Sequence, residues 1–288
     1  LLGQIAQDFP IGWNGLHAGY QFGVTNSKPG GALEELDLNV GSISSDVYAS
    51  YPVLRTIDHT IALKTGLTTR NTDVDIGPDR LTSDRYRWFS FGVDADHDIG
   101  IGPLSVQTEF LQGIRPFNAT DEGSPLASRA IAETDFQVVT ANARLLVDLF
   151  GGLSLLGRGS GQLAFGPLPS VVQMSLGGDP FGRAFETAAA SGDSGIAGSL
   201  ELALDTGLDF GVVRQSAAYT FIDYGVVGLR GSDSIGVGNT SLGSTGVGFR
   251  AFLDQGFAID TTIAIPFEAD AAVRDYGTQI FFSVKKRF

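Results

Sequence analysis

Apolar and polar residues alternate with a period of two over long stretches of this chain. From Gln137 to Leu149, Val139, Ala141, Ala143, Leu145, Val147 and Leu149 fall on one face, and Thr140, Asn142, Arg144 and Asp148 fall on the other. From Ile196 to Asp205, Ile196, Leu200, Leu202 and Leu204 oppose Ser199, Glu201 and Asp205. Phe257, Ile259, Thr261, Ile263, Ile265 and Phe267 oppose Asp260 and Thr262, and Ile280, Phe282, Val284 and Phe288 oppose Gln279, Ser283, Lys285 and Arg287. Side chains of a strand point alternately to its two faces, so these are strands with one apolar and one polar, partly charged, face.

A soluble sandwich also alternates, but its strands average about five or six residues and its apolar faces must meet in one core. Runs of nine to thirteen residues recur here. That length crosses a bilayer at a tilt, with the polar face turned to a wet interior and every backbone group paired in a closed barrel. The pattern predicts an all-β antiparallel transmembrane barrel of about fourteen strands: 1–9, 14–25, 36–51, 58–72, 85–98, 102–114, 133–149, 152–165, 170–177, 195–206, 211–227, 242–254, 256–267 and 276–288. Short links such as Pro10 to Gly12 and Asp254 to Gly256 read as periplasmic turns. The polar links 26–35, 73–84, 115–132 and 228–241 read as surface loops. Alternation puts Arg144, Asp148, Glu201, Arg250 and Asp260 on the interior face, where they are candidates for lining a conduit.

Composition sharpens this picture. Of 288 residues, 43% are hydrophobic and 18% charged, which is too apolar for a disordered chain, and 39 glycines with 20 phenylalanines suit a large β protein with many turns. The net charge of −13 argues against nucleic acid as a partner. The absence of cysteine suits an oxidising compartment. The most apolar stretch, Leu145 to Leu156, is interrupted by Asp148 and by Gly151-Gly152, so no transmembrane helix is expected. The chain opens on Leu1-Leu2-Gly3-Gln4, already strand-like and without a signal peptide, so the start of the natural protein is expected to lie outside it.

One segment breaks the hairpin rhythm: Ser175-Leu-Gly177-Gly178-Asp-Pro-Phe-Gly-Arg183-Ala-Phe185, followed by Gly192-Asp193-Ser-Gly195 and Ser199-Leu-Glu201-Leu. Downstream come Phe221-Ile-Asp223-Tyr-Gly225, the glycine-rich Leu242-Gly-Ser-Thr-Gly-Val-Gly-Phe-Arg250, and a closing strand that ends on Phe288. Upstream are Asp8-Phe-Pro-Ile-Gly12 and Ser50-Tyr-Pro-Val53. This ordered set resembles the two-partner secretion transporters, the haemolysin secretion/activation proteins of the ShlB/FhaC/HecB type. Gly182 stands where that family has Val before the arginine, which is expected to loosen the loop tip.

The resemblance implies a C-terminal outer-membrane barrel over 1–288, sixteen-stranded in the family, with the POTRA domains, the plug helix and the first strand or two expected to be missing. It implies a pore in the bacterial outer membrane that exports, and can activate, a large haemolysin- or adhesin-like exoprotein. The implied partners are that exoprotein in unfolded form, outer-membrane lipid, and the barrel-assembly machinery during insertion. The barrel is expected to be monomeric, with no cofactor, no metal and no enzymatic chemistry. The long loop is expected to fold into the lumen and form a lock in which Arg183 meets Asp223, with Phe185, Phe221 and Gly225 around them. Parity agrees, since Phe221, Asp223 and Gly225 share the interior face. Phe288 is the expected assembly signal. A barrel-assembly factor of the same superfamily and a passive porin are the competing readings. Gly192-Asp-Ser-Gly195 copies a serine-protease motif, but His17, His59 and His97 lie far off on early strands. Asp73, Asp75 and Asp79 lack the spacing of a calcium loop, and Gly157-Arg-Gly-Ser-Gly161 lacks the Lys-Ser/Thr of a phosphate loop.

Overall fold

A computed structural model describes residues 2–28, 37–208, 211–231, 238–270, 273 and 277–286. Thirteen strands form one antiparallel sheet in which sequence neighbours pair throughout. They are β1 (Leu2–Ile11), β2 (Leu16–Ser27), β3 (Leu38–Arg55), β4 (His59–Ile76), β5 (Asp79–Asp98), β6 (Pro103–Gly113), β7 (Gln137–Asp148), β8 (Leu153–Ala164), β11 (Ser194–Asp205), β12 (Val213–Gly228), β13 (Thr240–Leu253), β14 (Phe257–Ala269) and β15 (Gln279–Lys286). Between β8 and β11, β9 (Met174–Leu176) and β10 (Ala190–Gly192) make a separate two-stranded ribbon. Among the described residues β1 and β15 are not paired with each other, and the sheet is not closed.

Alternation sets the two faces. The outer face is a continuous apolar surface, with Phe22, Val47, Leu63, Phe91, Ile196, Leu200, Ile222, Val247, Ile263, Phe282 and Val284 all exposed. A water-soluble monomer does not present so large a patch, whereas hydrocarbon around a barrel covers it. Phe288 and Arg287 lie outside the described residues. The connections sort by length. Residues 12–15, 56–58, 99–102, 149–152 and 254–256 turn at one end, and the long segments 114–136 and 165–193 lie at the other.

Three expectations are corrected. Residues 170–177 do not form a wall strand, because Ser170–Val172 is a 3-10 turn and only Met174–Leu176 pairs, with β10, inside the long loop. Residues 73–84 are not a loop, since β4 and β5 stay paired up to Ile76↔Asp79 and turn at Gly77-Pro78. The polar residues there pair across the hairpin: both Asp73 oxygens take hydrogen bonds from the Arg85 guanidinium at 2.8 and 3.0 Å, and Asp75 receives Arg80. A polar string was therefore a solvated hairpin that projects past the bilayer rather than a link. Finally, Pro10 and Ile11 belong to β1, and the first turn is 12–15.

Candidate functional site

The long connection after β8 folds back onto the inner face of β11, β12 and β13. Met174, Leu176, Ala184, Phe185 and Ala190 of this loop form a buried cluster with Ala197, Tyr219, Phe221, Val227, Leu242 and Ala264 of the wall. That apolar contact fixes the loop, and the Phe185 ring is part of it. Gly177 and Gly178 make the turn: the Gly177 N–H donates to the Phe181 carbonyl at 2.8 Å and the Gly178 N–H to the Gly182 carbonyl at 3.0 Å. At the tip, Gly182 takes a backbone conformation that suits glycine. Its φ is +114° and an added Cβ would lie 3.2 Å from Gly177, a conformation and a spacing that a β-branched side chain would strain.

Within this covered space sits a chain of charges. The Arg183 guanidinium donates through Nη1 to Glu201 Oε2 at 2.7 Å and through Nη2 to Ser199 Oγ at 3.0 Å. Its Nε is 3.3 Å from Asp223 Oδ2, which also accepts the Arg183 backbone N–H at 3.3 Å and the Ser244 hydroxyl at 3.1 Å. Glu201 is shared, because its Oε1 accepts from Arg250 Nη1 at 2.7 Å. Arg250 Nε donates to Asp260 Oδ2 at 2.7 Å, and the Tyr219 hydroxyl donates to Asp260 Oδ1 at 2.8 Å. The series runs Asp223, Arg183, Glu201, Arg250, Asp260, with both arginines between carboxylates. Arg183 is 6% exposed, Glu201 2% and Asp223 0%. Charge-assisted bonds shielded in this way are strong and directional.

Each arginine also lies over an aromatic ring. Arg183 Cζ is 3.9 Å from the Phe221 ring centre and Arg250 Cζ is 4.0 Å from that of Tyr219. The rings lie flat on β13 where that strand has no side chains. An added Cβ would come within 2.7 Å of the Phe221 ring at Gly246, and against the Tyr219 ring at Gly248. The glycine-rich strand is thus a floor for two aromatic platforms.

Asp193 forms a second junction at the mouth. Fully buried, it accepts from Arg129 Nη1 at 2.5 Å, the Leu168 N–H at 3.1 Å, Gln173 Nε2 at 3.1 Å and the Arg230 N–H at 2.6 Å. One carboxylate thereby ties together segments 114–136, 165–193 and the start of the β12–β13 connection. Gly192 and Gly195 flank it, and Gly225 faces Leu176 of β9.

The structure therefore brings Arg183, Phe221, Asp223, Glu201, Arg250 and Asp260 into one cluster. Arg144 and Asp148 stay apart from it, on the open inner face of β7. The guanidinium of Arg183 directs its hydrogen bonds to Glu201 and Ser199, with Asp223 on its Nε edge, rather than forking onto Asp223. Sequence reasoning missed Tyr219, Ser199, Ser244 and Thr262, although all share interior parity with Asp223, Glu201 or Asp260. The junction of Asp193 with Arg129 joins two separate connections and left no local signal. Among the described residues no cluster of metal ligands occurs.

With this geometry in hand, comparison with known proteins decides the family. The family model for haemolysin secretion/activation protein ShlB/FhaC/HecB matches residues 5–251. The chain belongs to that family. Members are two-partner secretion transporters of the outer membrane, and that is this chain's compartment. The fold is similar to that of CdiB from Escherichia coli (TM-score 0.75, 18% identity, 93% of this chain and 49% of that one). It is also similar to CdiB from Acinetobacter baumannii (0.77, 16%, 98% and 49%). BamA from Haemophilus ducreyi lacking POTRA domains 1–3 is similar too (0.67, 12%, 99% and 62%). No curated protein sequence matches the chain. The chain spans about half the length of the two CdiB structures.

Proposed function

We propose that this chain is the barrel of a translocator that passes one unfolded haemolysin- or adhesin-like exoprotein across the outer membrane, with no covalent chemistry of its own. The supporting observation is the long loop held on the inner wall by Arg183. A passive porin has oppositely charged groups facing each other across open water. Here they touch and are buried, so no aqueous field lies between them. A loop fastened by charges, over a wall otherwise lined with polar and charged side chains, suits a conduit whose shape is set by the loop. The role of Arg183 is positional.

The test is Arg183→Ala in the full-length protein, together with its cognate exoprotein. Secretion into the medium should fall severalfold while the amount and heat-modifiable migration of the barrel in the outer membrane stay normal. Undiminished secretion would remove the loop from the transport mechanism.

A further inference from the structure

Outside the buried series, the inner wall carries a second feature. Arg144 on β7 and Arg158 on β8 are directly opposite in the register, both facing inward. Cross-strand neighbours of this kind have Cβ atoms about 5 Å apart, and like charges there repel. The chain has 32 acidic and 19 basic residues, yet the flanking positions in the row are Ser105 on β6 and Ser199 on β11. Ser105 donates to Asp96 at 2.6 Å and Ser199 accepts from Arg183. Arg144 is exposed and has no ion-pair partner among the described residues. Arg158 meets one carboxylate, Asp179 of the long loop, at 3.5 Å. Asp179 is itself 71% exposed and is shared with Arg183, whose Nε lies 3.4 Å away.

The interior thus presents two adjacent guanidinium groups that are largely unneutralised, beside a buried series in which both arginines lie between carboxylates. Guanidinium groups are suited to carboxylates. Among the described residues the one carboxylate paired with either arginine, Asp179, belongs to the loop and is largely exposed. Resting on the translocator reading, we propose that Arg144 and Arg158 receive carboxylate side chains of the polypeptide that passes through the barrel. Occupation displaces Asp179 from Arg158, so an acidic stretch of cargo detaches one of the loop's tethers as it enters. Arg183 keeps Glu201, Ser199 and Asp223, so the main anchorage stays in place.

The experiment uses the full-length protein in detergent and a fluorescein-labelled deca-glutamate peptide, followed by anisotropy, with a Gly-Ser decapeptide as the neutral control. Deca-glutamate should bind more tightly than the control. Arg144→Gln/Arg158→Gln should weaken it about five- to tenfold, as expected for two charge contacts in a wet site, whereas Arg144→Lys/Arg158→Lys should retain most of the affinity. Asp179→Asn should strengthen binding, because it frees Arg158; a merely structural arginine pair would not produce that gain. Heat-modifiable migration confirms that each variant is folded. Equal binding of the two peptides, or an unchanged double Gln variant, overturns the receiving site. An unchanged Asp179→Asn overturns the displacement. The two readings fail separately: no export of the exoprotein by the unaltered full-length protein, with tight deca-glutamate binding, removes the translocator and leaves the site. Export of the exoprotein without such binding does the reverse.

Discussion

The walls of the first six strands and of β11 to β14 follow the same alternation, yet their inner faces differ. On β1 to β6, away from the start of β5 where segment 114–136 buries Asp84 and Tyr86, the inward polar residues pair locally and stay wet: Asp8 with His17 and Tyr48, Asp46 with Thr68 at 2.7 Å, and Lys64 with Asp94. On β11 and β12, Ser199, Glu201 and Asp223 lie under a loop and are dry, while Arg250 and Asp260 at its edge are half-buried, and Glu201, Asp223 and Asp260 each serve two or more partners. Period two decides which face a residue takes. What covers that face decides what its charge is worth. In water a pair contributes little, and under the loop the loss of one partner strands a charge.

The largest effect should come from Glu201, the one carboxylate bonded to both arginines. Glu201→Ala leaves Arg183, which is buried, and Arg250, which is half-buried, each short of a partner. We expect a loss of about 3–5 kcal/mol, the range for breaking a buried ion pair. Asp223→Asn, which retains an acceptor for the Arg183 backbone N–H and for Ser244, should cost less. Urea midpoints of the folded full-length protein in vesicles give the order. If Asp223→Asn proves the more damaging, the guanidinium is anchored on its Nε edge and the hierarchy drawn from the distances is wrong.

A smaller effect should follow from filling the floor beneath the rings. The Cβ of Gly248→Val would run into the Tyr219 ring, which its bonds to Asp260 and Thr262 hold in place. Overpacking of this kind costs about 1–3 kcal/mol. On β3, a Cβ at Gly41 meets nothing within 4 Å, so Gly41→Val should stay within about 0.5 kcal/mol. The temperature at which each variant loses its folded migration on a gel separates the two. Equal shifts would mean that the rings can move aside and that the glycines serve some other need.

Much of this was legible from the residues. The alternation placed the strands and their faces, and the motifs around Arg183 and Asp223 marked the loop and the strand it meets. The parts that were not legible have physical reasons. Asp73, Asp75 and Asp79 read as a loop because solvated hairpin ends are as polar as loops. Residues 170–177 read as a wall strand because an apolar run packed inside a barrel looks like one packed on its outside. The sharing of Glu201 between Arg183 and Arg250 depends on cross-strand register, which puts Glu201 opposite Phe221 and Arg250 opposite Asp260. No single segment contains that information. The platform role of Tyr219 was within reach, since Tyr219, Phe221 and Asp223 are spaced by two and face three alternate positions of the glycine-rich strand.

The smallest effect should be that of Lys64→Ala. Lys64 and Asp94 form an inward ion pair with side chains 46% and 23% exposed. Both remain solvated in the folded wall, so little desolvation is recovered or lost when one is removed. The Coulomb term is screened by water and salt over a Debye length of about 8–10 Å. The change should be about 0–1 kcal/mol and should shrink further as salt is raised. Glu201→Ala should keep its effect at high salt, because ions do not reach a residue that is 2% exposed. Urea midpoints of both variants at low and high salt therefore measure dryness directly. A cost for Lys64→Ala that matches Glu201→Ala and ignores salt would show that something covers the first half of the wall as well, and the contrast between the two halves would be lost.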